Sequence, residues 1–247
     1  MRDNKFHVIS TNCRGLSDKQ KRRDVFKFVR ETKASIACLQ DIHLDPKLES
    51  YVQAEWALEA IFCPYKSNAR GVAILFNNNF EFKINRYHKD IEGNFIVMDL
   101  STAEKNITLI NVYGPNKDSP QFYRELHETI KGFNNEYIIA CGDWNIALDP
   151  EMDRINYVND NNPKAREALK EIVSKMNLTD IWRFMYPDKK DYTWRQQHSF
   201  KQGRIDFYLT SENLVQSIKN VSIKTGYKTD HRLITLEISF NENIPGH

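Results

Sequence analysis

The stretch IIACGDWNIAL, residues 138–148, combines a strand signal with a chemical one. An apolar run ends at a glycine, and Asp143 and Asn145 follow, two positions apart. A short apolar run bounded by a turn residue is typical of a buried β-strand. Polar side chains just past such a strand leave the sheet for solvent or a cleft. The stretch therefore predicts an α/β protein whose chemistry is placed at strand ends.

The same strand signal recurs along the whole chain and alternates with helix-like segments. Several strand segments are apolar on both faces, which predicts sheets covered on both sides. No linker rich in Pro, Gly or Ser divides the chain, so we expect one α/β domain over residues 1–240. The polar tail 241–247 would start a linker to a longer polyprotein. Helices are predicted over 18–32, 119–133 and 164–176, and strands at FHVISTN, SIACLQ, GVAILF, NFIVMDL, ITLINVY, YIIACG, GRIDFYL, SIKNVSI and LITLEISF.

The composition excludes several classes of protein. The 247 residues, 40% of them hydrophobic, suffice for a sizeable core. No apolar run approaches the roughly 18 residues of a membrane span, and the N-terminus lacks a secretory signal. We therefore expect an intracellular protein without a membrane partner. The four cysteines form no C-x-x-C pair, which argues against a zinc site, and the net charge of +2 is compatible with an anionic partner.

Polar side chains of complementary kinds stand beside other predicted strands. Each of them alone is most simply a turn, cap or core residue. Together they suit phosphoryl transfer, because a carboxylate accepts a proton from water and a histidine held by a second carboxylate carries positive charge. Amides and a phenol can hydrogen-bond a developing oxyanion, and carboxylates hold a divalent cation. These side chains are Asn12, Asp41 and Tyr113 after three strands, Asp206 within a fourth, and Asp230 and His231 before the last.

The motifs around these residues, in this order, resemble the exonuclease–endonuclease–phosphatase superfamily. Within it, INVYGPN and GDWNIALDPEMDR are most similar to the AP-endonuclease-like endonuclease domain of LINE-type non-LTR retrotransposons. The resemblance covers about residues 5–240 and implies a four-layer α/β sandwich, with two packed mixed β-sheets flanked by helices. The motifs are STNCRGL, LQDIHL, RGVAILF, LINVYGPN, IACGDWNIALD, GRIDFYL and TDHRLI.

The resemblance also implies roles. It predicts a Mg²⁺-dependent endonuclease, with Mn²⁺ as an alternative, that nicks one strand of duplex DNA and leaves a 3′-hydroxyl and a 5′-phosphate. That hydroxyl would prime target-primed reverse transcription by a fused reverse transcriptase, so we expect a monomeric nickase acting in the nucleus. The metal ligands would be Asp41 and Asp230. The candidate catalytic residues are Asn12, Asp41, Tyr113, Asp143, Asn145, Asp206 and His231.

The hairpin YTWRQQHSFKQGRIDFYL (192–209) carries a basic loop that the resemblance places in the DNA minor groove. Such a loop senses groove width and flexible steps, so we expect loosely A/T-rich target sites. The predicted strands of this hairpin are 192–194 and 203–209. The candidate nucleic-acid contacts are Arg14, Thr193, Arg195, Lys201, Arg204 and Thr229.

Two positions depart from the family pattern. Asp41 stands where the family's usual metal ligand is glutamate, so the carboxylate has one methylene less with which to reach a cation. Arg14 replaces an acid and cannot ligate a metal, although a guanidinium can face a DNA phosphate. Three other functions stay open: a DNA-repair AP endonuclease, a phosphoinositide or sphingomyelin phosphodiesterase or phosphatase, and a degenerate domain that binds DNA without cutting it.

Overall fold

The computed structural model describes residues 5–103 and 105–240, so the predicted tail, 241–247, lies outside the described residues. The strands are β1 (Lys5–Asn12), β2 (Ile36–Gln40), β3 (Ala60–Cys63), β4 (Val72–Phe76), β5 (Lys83–Lys89), β6 (Phe95–Ser101), β7 (Asn106–Tyr113), β8 (Tyr137–Asp143), β9 (Arg154–Ile155), β10 (Leu178–Asp180), β11 (Trp194–Arg195), β12 (Gln202–Gly203), β13 (Asp206–Ser211), β14 (Ile218–Lys224) and β15 (Leu233–Ser239). The α-helices are α1 (Lys19–Glu31), α2 (Glu49–Trp56), α3 (Pro120–Lys131), α4 (Pro163–Lys175) and α5 (Ile181–Met185), with 3₁₀ turns at Pro46–Leu48 and Glu212–Ser217.

Two six-stranded mixed sheets form the centre of the fold. The first has the strand order β14-β15-β1-β2-β4-β3, and the second has the order β10-β13-β8-β7-β6-β5. In the first sheet β1 and β2 run parallel, and in the second β7 and β8 do, while their other neighbours are antiparallel. Because the strand ends of both parallel pairs carry predicted site residues, this topology gathers them at one end of each sheet.

Three apolar cores separate four layers. One lies between the sheets and includes Ile74 and Leu236. A second lies between the second sheet and α3 and α4, where Leu126 and Leu169 are buried. A third lies between the first sheet and α1 and α2. The predicted four-layer sandwich of two mixed sheets flanked by helices is confirmed. Among the described residues we find no helix that is both long enough and apolar enough to span a membrane.

The three predicted helices form within two residues of the predicted bounds. Asp18 caps α1, because its Oδ1 accepts a hydrogen bond from the Lys21 backbone N at 2.7 Å. Pro120 and Pro163 begin α3 and α4, at the position where a missing N–H leaves no intrahelical bond unmade.

The predicted hairpin over 192–209 forms differently. β11 pairs with β12, and β12 pairs with β9, so these strands make a separate three-stranded sheet. The chain bends after Gly203, and β13 joins the second sheet only at Asp206, opposite Asp143. The bend has a physical cause, because the Thr193 hydroxyl accepts the backbone N–H groups of both Ile205 and Asp206 and ends the hairpin ladder there.

Candidate active site

Asp143 ends β8, and the glycine before it permits a close approach between strands. Gly142 has φ of +143°, and a Cβ on it would lie 1.9 Å from the carbonyl oxygen of Val112 on the paired strand β7. A side chain at this position is therefore excluded by the backbone of the neighbouring strand as well as by the local conformation. This close pairing places Asp143 directly beside Tyr113, the last residue of β7.

His231 reaches the same place from the other sheet. It lies two residues before β15, and its Nδ1 lies 2.9 Å from Oδ2 and 3.0 Å from Oδ1 of Asp206. Its Nε2 faces Oδ2 of Asp143 across 3.8 Å. All three side chains are buried, and His231 is only 7% exposed. Two carboxylates thus face the two nitrogens of one imidazole, and the hydrogen-bonded one, Asp206, fixes its orientation.

Burial and the nearby charges shift the pKa values of Asp143 and His231. Burial raises the pKa of Asp143 to about 7; the Asp206 charge adds to the rise, and His231 partly offsets it. Burial by itself would lower the pKa of His231, but the Asp206 and Asp143 carboxylates outweigh it and raise the pKa to about 9. Between these values an ionised carboxylate and a protonated imidazole face each other.

Two asparagines fix the Asp143 carboxylate. The Asn12 Nδ2 donates to Oδ2 of Asp143 at 2.9 Å, and the Asn12 Oδ1 accepts the backbone N–H of Arg14 at 2.8 Å. The backbone N of Asn145 donates to Oδ1 of Asp143 at 3.0 Å, while the Asn145 side-chain nitrogen donates to Gly114 O at 2.7 Å. Asn12 is therefore placed as a positioning residue for Asp143. The Asn145 Oδ1 is the atom of its amide that can accept from a water.

Asp41 and Tyr113 form the opposite wall of the same pocket. Asp41 adopts φ of +53° just past β2, and its Oδ1 lies 2.8 Å from His43 Nε2. Burial, with the charges of Asp41 and Asp143, raises the pKa of Tyr113 well above its usual value. Tyr113 consequently stays a neutral O–H donor across the physiological range.

The chemistry of the donor set decides which residues fit a divalent cation. The closest cluster is Asp143, Asp206 and His231, whose ligand atoms lie within 4.8 Å of one another. This trio does not fit at neutral pH, because a protonated imidazole cannot be a ligand and Asp206 already holds its Nδ1 proton. The Asp41 carboxylate fits better, since Mg²⁺ is commonly held by one or two carboxylates and waters.

Asp230, the other predicted metal ligand, has different partners. Its Oδ2 lies 2.9 Å from Arg14 Nη1 and 3.3 Å from the Trp194 indole nitrogen. The arginine that replaces the family's acid thus supplies its own positive charge to Asp230. Arg14 keeps about half of its side chain exposed, so its guanidinium remains open to the pocket side as well.

Four of the six predicted nucleic-acid contacts lie on accessible surfaces. Arg14, Arg195 and Thr229 line an open groove beside the site, together with Lys21 and Lys228. Lys201 lines the catalytic pocket itself, and its ammonium lies 4.3 Å from the centre of the Tyr157 ring. Cationic side chains therefore border the pocket on the side of the small three-stranded sheet.

The structure contradicts the prediction that the other two residues, Thr193 and Arg204, contact nucleic acid. Thr193 is fully buried, and its hydroxyl accepts the backbone N–H of Asp206 at 3.0 Å, so its side chain is used inside the fold. Arg204 is 1% exposed and makes ion pairs with Asp153 and Asp180. Neither side chain reaches the surface as the hairpin prediction requires, because the chain turns inward after Gly203.

Sequence reasoning also missed residues that shape the site. The imidazole of His43 contacts the Asp41 carboxylate. In the sequence, only its position two residues after Asp41 in LQDIHL pointed to this contact. Tyr157 lines the pocket from the loop that follows β9. Asp153 belongs to the motif GDWNIALDPEMDR, but its role was not predicted, because its partner Arg204 is 51 residues away.

This fold and this site define a class of protein: a two-sheet α/β hydrolase of phosphate esters, with a buried Asp–His–Asp trio at the ends of its sheets. A family comparison gives the more particular assignment. Residues 9–231 match the Endonuclease/Exonuclease/phosphatase family, and the chain belongs to that family. The predicted superfamily is thereby confirmed.

Individual relatives agree with this assignment. The chain is 28% identical over 250 residues to a transposon TX1 uncharacterized 149 kDa protein of Xenopus laevis, covering 96% of this chain and 18% of that protein. It is 25% identical to an exodeoxyribonuclease of Bacillus subtilis, covering 94% of this chain and 99% of that one. The AP endonuclease LMAP of Leishmania major has the same fold, with a TM-score of 0.81, 18% identity, and coverage of 96% of this chain and 88% of that one. The predicted resemblance to a transposon branch with an AP-endonuclease-like fold is confirmed.

Proposed function

We propose that this chain is a metal-dependent endonuclease that nicks one strand of duplex DNA and leaves a 3′-hydroxyl and a 5′-phosphate. The observation that carries the proposal is the 3.8 Å gap between His231 Nε2 and Asp143 Oδ2, in a pocket that a basic groove adjoins. In this proposal the chain acts in the nucleus as a monomer fused to a reverse transcriptase, and the new 3′-hydroxyl primes reverse transcription. The similarity to a transposon protein of 149 kDa supports the link to transposition.

In the proposed reaction each side chain has a task that its contacts support. Asp143 accepts a proton from the attacking water, and the Asn145 Oδ1 holds that water in line. The water oxygen bonds to phosphorus, the P–O3′ bond breaks, and the 3′ oxygen takes up a proton from solvent. His231, held by Asp206, donates from Nε2 to a non-bridging phosphate oxygen, and Tyr113 donates a second hydrogen bond. Asp41 would hold the cation, which when bound supplies positive charge to the phosphate.

Three assays in parallel test this function. With Mg²⁺ or Mn²⁺, supercoiled plasmid should be converted to open circles whose nicks map loosely to A/T-rich sites, and chelation with EDTA should stop the conversion. An abasic oligonucleotide and a phosphoinositide serve as the competing substrates. A strong preference for the abasic duplex over intact plasmid would favour a repair enzyme, and release of phosphate from the lipid alone would favour a phosphatase. Binding without any cut would identify a degenerate domain.

The pH dependence of nicking should be bell-shaped. Asp143 must be ionised to accept a proton, so the rate rises as the pH passes through about 7, the pKa to which burial raises this carboxyl. His231 must be protonated to donate to the phosphate, so the rate falls as the pH passes through about 9. Because Asp143 and His231 interact, the two limbs report values that belong to the pair. Single-turnover rates between pH 5 and 10 measure both limbs, and a rate that keeps rising above pH 9.5 would remove His231 as the donor.

A further inference from the structure

A buried ion network lies directly behind the Asp206–His231 pair. The Nε and Nη2 of Arg204 each donate to one oxygen of Asp153 at 2.8 Å. The Nη1 and Nη2 of the same guanidinium donate to Asp180 at 3.1 and 2.5 Å. Arg183 adds a third contact, at 2.6 Å from Asp153 Oδ1. Two guanidinium groups and two carboxylates balance in charge.

The network connects three segments of chain, and two of them carry site residues. Arg204 lies two positions before Asp206, and its backbone N donates to the carbonyl oxygen of Asp153 at 2.8 Å. Asp153 lies on the loop that follows Asp143, and its Oδ2 accepts the backbone N–H of Asp149 at 3.1 Å. Asp180 ends β10, the neighbour of β13 in the second sheet.

A gain in folding stability alone does not account for this ion network. Arg204 is 1% exposed and Asp153 is fully buried, so the charges of these two side chains are held away from water, while Asp180 and Arg183 are partly exposed. Burial opposes the charge on Arg204, although the Asp180 and Asp153 carboxylates outweigh it and raise the pKa of Arg204 above its usual value. Replacing a buried ion pair by apolar groups of similar volume is often neutral or stabilising. What a planar guanidinium adds is geometry, because its fixed fork orients two carboxylates at once.

We propose that Arg204 is a positioning residue, whose paired bonds to Asp153 and Asp180 set the start of β13 and the loop after β8 so that Asp206 and Asp143 meet His231 correctly. The proposal rests on the proposed function for its kinetic test. A displacement of about 1 Å in such a site costs roughly a hundredfold in rate. Loss of Arg204 should therefore act mainly on kcat, since the DNA-facing groove is lined by other side chains.

Four variants, measured at a low temperature at which each is folded, separate an effect on the positions of the catalytic groups from an effect on folding stability. Arg204→Met and Arg204→Lys should lower kcat for nicking by about a hundredfold with KM changed less than threefold. The charge-balanced pair Arg204→Met/Asp153→Leu should regain much of the lost melting temperature while kcat stays low. Arg22→Met is the matched control, because Arg22 is also buried and paired, with Glu55 at 2.6 Å. It should lose melting temperature and keep its kcat.

A second readout does not depend on the substrate. The hydrogen-bonded Nδ1 proton of His231 should give a downfield proton resonance in the parent and in Arg22→Met, and this resonance should be lost or displaced in every Arg204 variant. If the parent fails to nick DNA, the proposed function fails, and the resonance still tests Arg204. Parent kcat in folded Arg204→Met, or recovery of kcat together with melting temperature in the double variant, would overturn the positioning role.

Discussion

Asp143→Asn should lower the rate of plasmid nicking by about 10³-fold, within the range that a general base contributes. The amide has nearly the same shape as the carboxylate, and its oxygen can still accept the 2.9 Å hydrogen bond from Asn12 Nδ2, although its nitrogen then gives up the hydrogen bond from the backbone N of Asn145. An amide cannot take the proton of an attacking water, however. The variant therefore removes the chemistry at the cost of one hydrogen bond, and single-turnover nicking at pH 8 measures the loss.

The folding stability of Asp143→Asn, unlike its nicking rate, should not fall. The folded protein raises the pKa of Asp143 to about 7, chiefly through burial, whereas the unfolded chain keeps the usual value near 4. A raised carboxyl pKa means that the folded state disfavours the charge, so folding loses free energy as the pH rises above the unfolded value. Asparagine carries no charge, and we expect the melting temperature at pH 8 to equal or exceed that of the parent.

His231→Ala provides the companion measurement. Residues that act on one phosphate as a unit give losses that do not add. Each single variant, and Asp143→Asn/His231→Ala together, should therefore show similar residual rates. Losses that multiply in the double variant would mean that the two side chains act in separate steps, and a melting temperature well below the parent for Asp143→Asn would contradict the charge argument.

The site residues at strand ends could be predicted from the sequence, because a place at the end of a strand is enough to determine where a residue lies in the sheet. Asn12 ends β1 and Asp41 follows its parallel neighbour β2, and Tyr113 and Asp143 end the parallel pair β7 and β8. Residues that end adjacent parallel strands meet at one edge, whatever else the chain does. This rule requires only the first and last residue of each strand, and short apolar runs in the sequence indicate those residues well.

Side chains whose position depends on remote partners could not be predicted in this way. Arg204 in a basic hairpin looks like a surface cation, and only the fold brings Asp153 and Asp180 around it. Thr193 similarly becomes a buried acceptor because the chain bends after Gly203. The edge strand β5, KINRYHK, gave no strand signal because it is mostly exposed on both faces, so its polarity does not alternate.

The helix α2 and β9, the third strand of the small sheet, were missed for a related reason. α2 has eight residues, of which only Val52 and Trp56 are buried, so its apolar stripe is too short to show a 3.6-residue period. β9 has two residues, and no pattern can be read from two residues. Tyr157, which lines the pocket from the loop after β9, was therefore absent from the sequence prediction.

Asp41→Ala should reduce metal-dependent nicking by two to three orders of magnitude, about the several kcal/mol that a cation supplies to a phosphate in its transition state. Of the carboxylates lining the pocket in the described chain, Asp143 faces His231 and Asp230 is paired with Arg14, whereas Asp41 stands beside Tyr113 with His43 behind it. Asp41 is thus the group through which the cation dependence should act.

The Glu variant and a binding measurement make this prediction specific to the metal. Asp41→Glu keeps the carboxylate, lengthens the side chain by one methylene and should keep or raise the rate. Asp45→Ala is the control, because Asp45 is an acid of the same loop that caps the turn at Lys47 and does not line the pocket. Mn²⁺ binding followed by electron paramagnetic resonance should weaken in Asp41→Ala and be retained in Asp41→Glu and Asp45→Ala. If Asp41→Ala nicks at the parent rate and binds Mn²⁺ as tightly, the cation is held elsewhere. The trio of Asp143, Asp206 and His231 would then be the next set to test, at a pH above 9 where the imidazole is neutral.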